Sequence, residues 1–374
     1  MTKTTNNYRL SILGAGGFTH FSVEAFLREP KVNIIGVFDK STKNAQSFAE
    51  KFGCRIFESQ EDLLADAQTD IVYIATPPFL HFAQSKAALL AGKYVICEKP
   101  AALKAEEVEE LIEIASKQDL LYVVNLMQRY NPLFEKVGWI IREKILGEFL
   151  HGYFENYASS ENLDENHWMW DESKSGGIFI EHAVHFFDLF AGWLGQGETL
   201  AAQKVMKKGT IKNIWPEVQA ICSYNRRLVN FYHGFHQADR MDRQEMKLVF
   251  ETGDLTLSEW VPSTLSVHAL ISKSNLEKLQ AAFPGAETTI AKKFEGDTKQ
   301  YRSNFCERSA DFKIIIKTGN SSEKYNIYQR LLQDMISDQL AWIHKRDHPR
   351  VITGENALHS TRMAETATKL AIKL

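Results

Sequence analysis

Arg9-Leu10-Ser11-Ile12-Leu13-Gly14-Ala15-Gly16-Gly17-Phe18-Thr19-His20 is the stretch that decides the fold. Arg9 to Leu13 reads as a short strand, the glycines as a tight turn, and Phe18 to about Arg28 as a helix that stops before Pro30. Such a turn aims free backbone N–H groups and the positive end of a helix dipole at an anion, and glycines let the backbone approach it closely. The spacing follows the pyrophosphate fingerprint G-x-G-x-x-G/A, except that Thr19 stands in the third position. The third glycine serves helix–strand packing, so Thr19 predicts a slightly looser contact there. Gly14, Gly16, Gly17 and Phe18 are the candidate phosphate-side residues.

Working outward, Val32 to Phe38 is a second apolar strand that ends at Asp39. A carboxylate at that place accepts hydrogen bonds from the ribose hydroxyls of NAD and repels the extra phosphate of NADP. Lys40 and Lys43 would offset part of that repulsion, so NAD or NADP is expected, with Asp39 favouring NAD. The alternation continues with a helix Ser41–Phe52, a strand Arg55–Phe57, a short helix near Glu61–Ala65 and a strand Asp70–Ala75. A helix Phe79–Ala91, a strand Tyr94–Cys97, a helix Lys104–Lys117 and a strand Leu120–Leu126 complete it. Repeated strand–helix units of this size predict an α/β domain over residues 1–126, a doubly wound parallel Rossmann sheet.

Ligands of such sheets lie at the carboxyl edge of the strands. Two strand ends there carry chemistry. Thr76-Pro77-Pro78 follows the fourth strand and borders the cleft, either as a plain helix start or as a contact to the nicotinamide side of a cofactor; His81, one turn later, reads as a partly exposed histidine. Tyr94-Val95-Ile96-Cys97 runs straight into Glu98-Lys99-Pro100, which sets a carboxylate and an ammonium at the same edge.

After Gln128-Arg129-Tyr130-Asn131-Pro132 and an amphipathic helix Leu133–Glu143, the period changes to two. Strands are predicted at 149–157, 203–207, 218–224, 228–235, 243–250 and 254–260, joined by short turns, which means a largely antiparallel sheet in an α+β domain over residues 127–374. Residues 262–321 are hardest to read: strands at 265–271 and 312–316, a helix near 276–282, and a polar, mobile-looking stretch Gly296–Ser303. Helices Tyr328–His344 and Asn356–Leu374 close the chain. An otherwise apolar helix after Gly176-Gly177 carries Glu181, His185 and Asp188 at i, i+4 and i+7, on one face. Ionisable groups so placed are costly to bury unless they are paired or used. His182 points off that face. Trp168, in the preceding aromatic loop with His167 and Trp170, is a candidate wall of a substrate pocket, and equally a core or interface residue. His182 and His185 could share a metal, but no third ligand stands out, so no metal is expected.

Bulk properties exclude other classes. The chain has 374 residues, 24% of them charged, with a formal net charge of -3, so no basic field exists to recruit nucleic acid. Four scattered cysteines form no C-x-x-C pair, the start is polar, and no 18-residue apolar run occurs, which points to a cytoplasmic protein without membrane segments.

Gly14-Ala15-Gly16, Asp39, Ile74-Ala75-Thr76-Pro77 with His81, and Ala88 to Pro100 together resemble the Gfo/Idh/MocA oxidoreductases. The resemblance implies that Lys99 is catalytic, that the peptide before Pro100 is cis, and that His81 and Glu98 belong with the cofactor-binding residues. It aligns Glu181 with a usual Asp and His185 with the histidine four residues later; it also implies dimers or tetramers formed through the antiparallel sheet. The expected activity is hydride transfer between NAD(P) and a secondary alcohol of a sugar, polyol or related small molecule. In it His185 is the general base, Lys99 a hydrogen-bond donor to the reacting oxygen, Glu181 the group that orients the pair, and Glu98 the group that positions Lys99. Lys99, Trp168, Glu181 and His185 would then face substrate. The rivals are a nucleotide-sensing regulator that has lost its chemistry, and a hydrolase or lyase that retains NAD.

Overall fold

The structure, a computed structural model, describes residues 7–160, 163–209, 213–303 and 305–374. The first sheet has six parallel strands: β1 (Tyr8–Leu13), β2 (Val32–Phe38), β3 (Arg55–Ile56), β4 (Ile71–Ile74), β5 (Tyr94–Cys97) and β6 (Tyr122–Val124). Their order, β3-β2-β1-β4-β5-β6, is doubly wound and reverses between β1 and β4. The apolar runs are explained by burial on both faces: every residue of β4 and β6 is buried, as are Leu10 to Leu13 and Val95 to Cys97.

Helix ends follow local chemistry. Ser41 and Ser59 cap the helices Thr42–Phe52 and Gln60–Ala65 by accepting from Asn44 and Asp62 backbone N–H groups. Pro78 starts a 3-10 turn that leads into the helix His81–Leu90. Gly14 has φ +94°, and a Cβ there would lie 2.7 Å from the Ala75 carbonyl oxygen. The glycine is therefore fixed by the close approach of β1's end to β4's end, the point where the strand order turns.

The chain packs into two compact units. One comprises the residues up to Tyr130 with His167–Asp188 and Tyr328–Lys369; the other comprises Asn131–Asn166, Leu189–Ile327 and Leu370–Leu374. A cut near residue 126 thus describes the parallel sheet but not its packing. The returning segments are tied to the sheet unit by side chains: Arg129 pairs with Asp188, Gln329 donates to the Phe21 carbonyl, and Glu365 accepts from Ala105 N–H.

The second unit holds a ten-stranded sheet in which neighbours pair antiparallel, except that Arg227–Gln237 lies parallel to Phe149–Ser159 and Ala371–Lys373 parallel to Gly197–Val205. Its strands alternate buried and outward residues, as in Val218, Ala220, Cys222 and Tyr224 against Glu217, Gln219, Ile221 and Ser223. Sequence and structure part at four places. The second strand of this run spans Gly197–Val205 rather than 203–207, and Glu287–Lys293 adds an unforeseen edge strand. Gly296–Ser303, expected as a mobile stretch, is a 3-10 turn followed by one arm of a hairpin with Cys306–Ser309. The last helix ends at Leu370, and the residues after it form the short parallel strand. Among the described residues no helix is long and apolar enough to cross a membrane.

Gly14→Ala is expected to lower the unfolding free energy by about 1–3 kcal/mol, since alanine must adopt a left-handed φ against the Ala75 carbonyl. Urea denaturation checks this; an unchanged midpoint would contradict it.

Candidate active site

The glycine turn is built to face an anion. The helix Gly17–Phe26 begins at Gly16 with no side-chain cap, so its first N–H groups remain available. A Cβ on Gly16 or Gly17 would meet nothing within 4 Å, which leaves open space above those N–H groups. This geometry fits a dinucleotide pyrophosphate, which Gly14, Gly16, Gly17 and Phe18 would hold. Phe18 is part-exposed and its ring centroid lies 6.1 Å from that of Tyr328. Thr19 corrects the expectation of loose packing. It is 1% exposed and its hydroxyl donates to the Gly14 carbonyl at 2.9 Å, which closes the turn from below.

Asp39 does more than end β2. Its two oxygens accept from the Ala15 and Ser41 N–H groups, each at 2.7 Å, and so tie the glycine turn to the loop after β2. A carboxylate has about four lone-pair sites, so acceptors remain for ribose hydroxyls.

At the next edge position, Thr76 donates to Gln84 at 2.5 Å, and Pro77 leads the turn. His81 departs from the expected partly exposed histidine: it is 1% exposed. Its Nε2 lies 2.7 Å from the Thr76 carbonyl oxygen and its Nδ1 2.6 Å from that of Pro100, so backbone acceptors make its burial tolerable. It therefore shapes the loops without reaching the open cleft. Glu98 is also buried. Its Oε1 accepts from Tyr73 at 2.5 Å and Asn125 at 2.7 Å. Burial raises its carboxyl pKa, while Asn125, Tyr73 and the Lys99 charge work against that rise. Glu98 thus secures the end of β5, and the Lys99 ammonium is held by another carboxylate.

That carboxylate is Glu181. Lys99 Nζ donates to Glu181 Oε1 at 2.6 Å and to the Glu181 carbonyl at 2.8 Å, with both side chains mostly buried. The Lys99–Pro100 peptide is cis, as the family resemblance implied. Phe179–Ala183 is a π-helical turn that leads into the α-helix Val184–Leu194. Such turns widen the backbone spiral and are frequent at functional sites. Here the turn presents both the side chain and the carbonyl of Glu181 to one ammonium. The even i, i+4, i+7 face read from the sequence is therefore split: Glu181 meets Lys99, and Asp188 meets Arg129. Nothing in the residue types announces the wider turn.

His185 is 3% exposed, and burial, then the Lys99 charge, push its pKa well below the ordinary histidine value. It is neutral at neutral pH, the state a base requires. His182, set aside by spacing, shares this environment: burial, Lys99 and His185 hold its pKa well down. Trp168 starts a 3-10 turn, half-buried, with its ring centroid 5.3 Å from that of His167. Asp188 is 2% exposed and is gripped by Arg129, Nε at 2.7 Å from Oδ2 and Nη2 at 2.8 Å from Oδ1. Burial raises the Asp188 pKa while Arg129 and Asn356 lower it. Arg129 is the site-forming residue that sequence reasoning passed over as a domain end; an arginine just after the last parallel strand, opposite a helix with a spare aspartate, was the available signal. Among the described residues no group of three His, Cys, Asp or Glu side chains could hold a metal ion.

Arg129→Met alone is expected to cost about 3–5 kcal/mol, because Asp188 would stay buried without its cation, whereas Arg129→Met with Asp188→Leu should recover most of that loss. Urea denaturation of the three variants checks this; equal losses in the single and double variants would contradict it.

Residues 8–126 match the family model described as oxidoreductase family, NAD-binding Rossmann fold, of the Gfo/Idh/MocA proteins. Glucose-6-phosphate 3-dehydrogenase of Bacillus subtilis is 26% identical over 185 residues, which cover 48% of this chain and 52% of that protein. The rhizopine catabolism protein MocA of Rhizobium meliloti is 26% identical over 297 residues, covering 75% of this chain and 88% of that one. The chain spans about half the length of the first curated relatives it matches. A 3-ketoreductase from Actinomadura kijaniata, solved in complex with NADP and TDP-benzene, shares the fold with a TM-score of 0.74 at 17% identity, covering 98% of this chain and 99% of that one. The parallel sheet, the glycine turn and the strand ends that follow thus lie within the stretch, residues 8–126, that matches the NAD-binding Rossmann model of the Gfo/Idh/MocA oxidoreductases.

Proposed function

We propose that the chain is an NAD(P)-dependent dehydrogenase that interconverts a secondary alcohol and a ketone on a sugar, polyol or related small molecule. The observation that carries this reading is the Lys99–Glu181 pair set in the same buried environment as a neutral His185. The bound nicotinamide supplies the hydride acceptor or donor; the chain must position the substrate and manage one proton.

Lys99 has three N–H donors, and two point at Glu181. The third is available to a substrate oxygen, on which it stabilises developing negative charge. Glu181 keeps the ammonium aimed. His185 receives the hydroxyl proton in oxidation and returns it in reduction. Trp168 offers an aromatic wall for the C–H face of a ring. Two relatives are named as a 3-dehydrogenase and a 3-ketoreductase, so a hydroxyl or ketone at carbon 3 of a hexose is the first substrate to screen. Either NAD or NADP is the cofactor, Asp39 favouring NAD and the neighbouring Lys40 and Lys43 offsetting part of its repulsion of a 2′-phosphate.

The outward side of the ten-stranded sheet carries exposed Ile221 and Leu228 beside Tyr153 and Tyr157, which donate to Glu245 and Glu155. This mixed face supports a homodimer or homotetramer formed through that sheet, and sedimentation velocity would register it. The four cysteines are all unpaired, which accords with a cytoplasmic location.

Lys99→Ala and His185→Ala are each expected to lower turnover about 100- to 10,000-fold while NAD(H) binding, followed by nucleotide fluorescence, is retained. Wild-type-like turnover in either variant would overturn the assignment.

A further inference from the structure

Within the second unit the helices Pro132–Arg142 and Lys273–Ala282 face each other across a cleft of about 440 Å³. Glu135, Trp139 and Arg142 stand at i, i+4 and i+7 on the first helix, which puts them on one face, and Lys136 lines the cleft with them. The second helix contributes Lys278 and, one turn later, Ala281 and Ala282, whose small side chains leave room beside the indole. Asn275 donates to the Ile145 carbonyl at 3.1 Å, so the second helix starts just past the end of the first. Lys278, one turn further on, therefore lies towards Arg142 rather than Glu135.

Three cations thus line one cleft with a single carboxylate, in a chain whose formal net charge is -3. Other cations of the same unit are matched with carboxylates, as Lys247 is with Asp254 and Arg308 with Glu251. Lys136, Arg142 and Lys278 form no ion pair among the described residues, and neither does Glu135. The half-buried Trp139 indole makes no ring stack or cation–π contact among those residues either. Like charges around one indole repel one another and draw a counter-ion into the cleft they line.

We propose that this cleft is a binding site for a small molecule made of a flat ring and one anionic group, a phosphate or a carboxylate. The ring packs on Trp139, and the anion sits with Arg142 and Lys278, whose N–H donors suit its oxygens. Glu135 sets the polarity: it lies seven residues before Arg142, about 10 Å along the helix, and repels the anion from its own end. The cleft falls within the range of small-molecule sites, about 300–1,000 Å³. No residue of the proposed dehydrogenase reaction lines it, so the site stands whether or not that reading holds.

Indole N–H NMR of the full chain tests this, the Trp139 signal being identified by its loss in Trp139→Phe. Phenyl phosphate and salicylate are the ring-bearing anions; inorganic phosphate lacks the ring and phenol lacks the charge. At least one ring-bearing anion should shift the Trp139 signal saturably, with both controls weaker by about tenfold or more, and Arg142→Gln combined with Lys278→Gln should weaken that binding roughly tenfold or more. Tighter binding of phenyl phosphate assigns a phosphate ligand, and tighter binding of salicylate a carboxylate. No saturable shift with either probe would overturn the proposal, as would inorganic phosphate or phenol acting as strongly as the ring-bearing anions, or a shift undiminished in the double variant. Should that variant fail to fold, the comparison of the four probes on the wild type still decides.

Discussion

One ammonium group organises this site. Lys99 follows the buried run Val95–Cys97, where an uncompensated cation would be costly, and Glu181 compensates it with both a carboxylate oxygen and a backbone carbonyl. Its charge then reaches further. It opposes protonation of His81, His182 and His185, and it helps to hold down the pKa of the buried Glu98 against burial. A cation next to a neutral base is a stable arrangement only if the cation has its own anion and the base is dry. Glu181 supplies the first condition and the burial of His185 the second.

The surrounding structure keeps that arrangement in register. Arg129 holds Asp188 three residues beyond His185, and Tyr73 and Asn125 hold Glu98 one residue before Lys99. Asp39 and Thr19 do the same for the glycine turn, by accepting from Ala15 N–H and donating to the Gly14 carbonyl. Each is a buried or half-buried polar group with defined partners, and such groups specify a conformation because an unsatisfied alternative is expensive.

Much of this was legible in the sequence. Parallel strands buried on both faces announce themselves as short apolar runs, and glycine, serine and proline punctuate the helices between them; β2 and β5 were bounded to the residue. Lys99, Glu181 and His185 were legible because charged residues next to apolar runs are conspicuous. Legibility failed where pattern carries little information. Glu287–Lys293 is almost wholly exposed, so no alternation marks it, and Ala371–Lys373 is too short to show a period. The π-turn leaves no residue-level signature. His81 was misjudged because its partners are backbone carbonyls, which sequence does not display. The looser packing read from Thr19 ignored its hydroxyl, which can reach a carbonyl that a glycine cannot.

The central claim is that Lys99 and His185 act as one electrostatic unit. NMR titration of histidine-labelled protein tests it without knowledge of the substrate. His185 should titrate well below the ordinary histidine value, and Lys99→Met should move that titration upward, because a positive charge that disfavours its proton has been removed. A His185 titration left unchanged by Lys99→Met, or one already at the ordinary value in the wild type, would contradict the account.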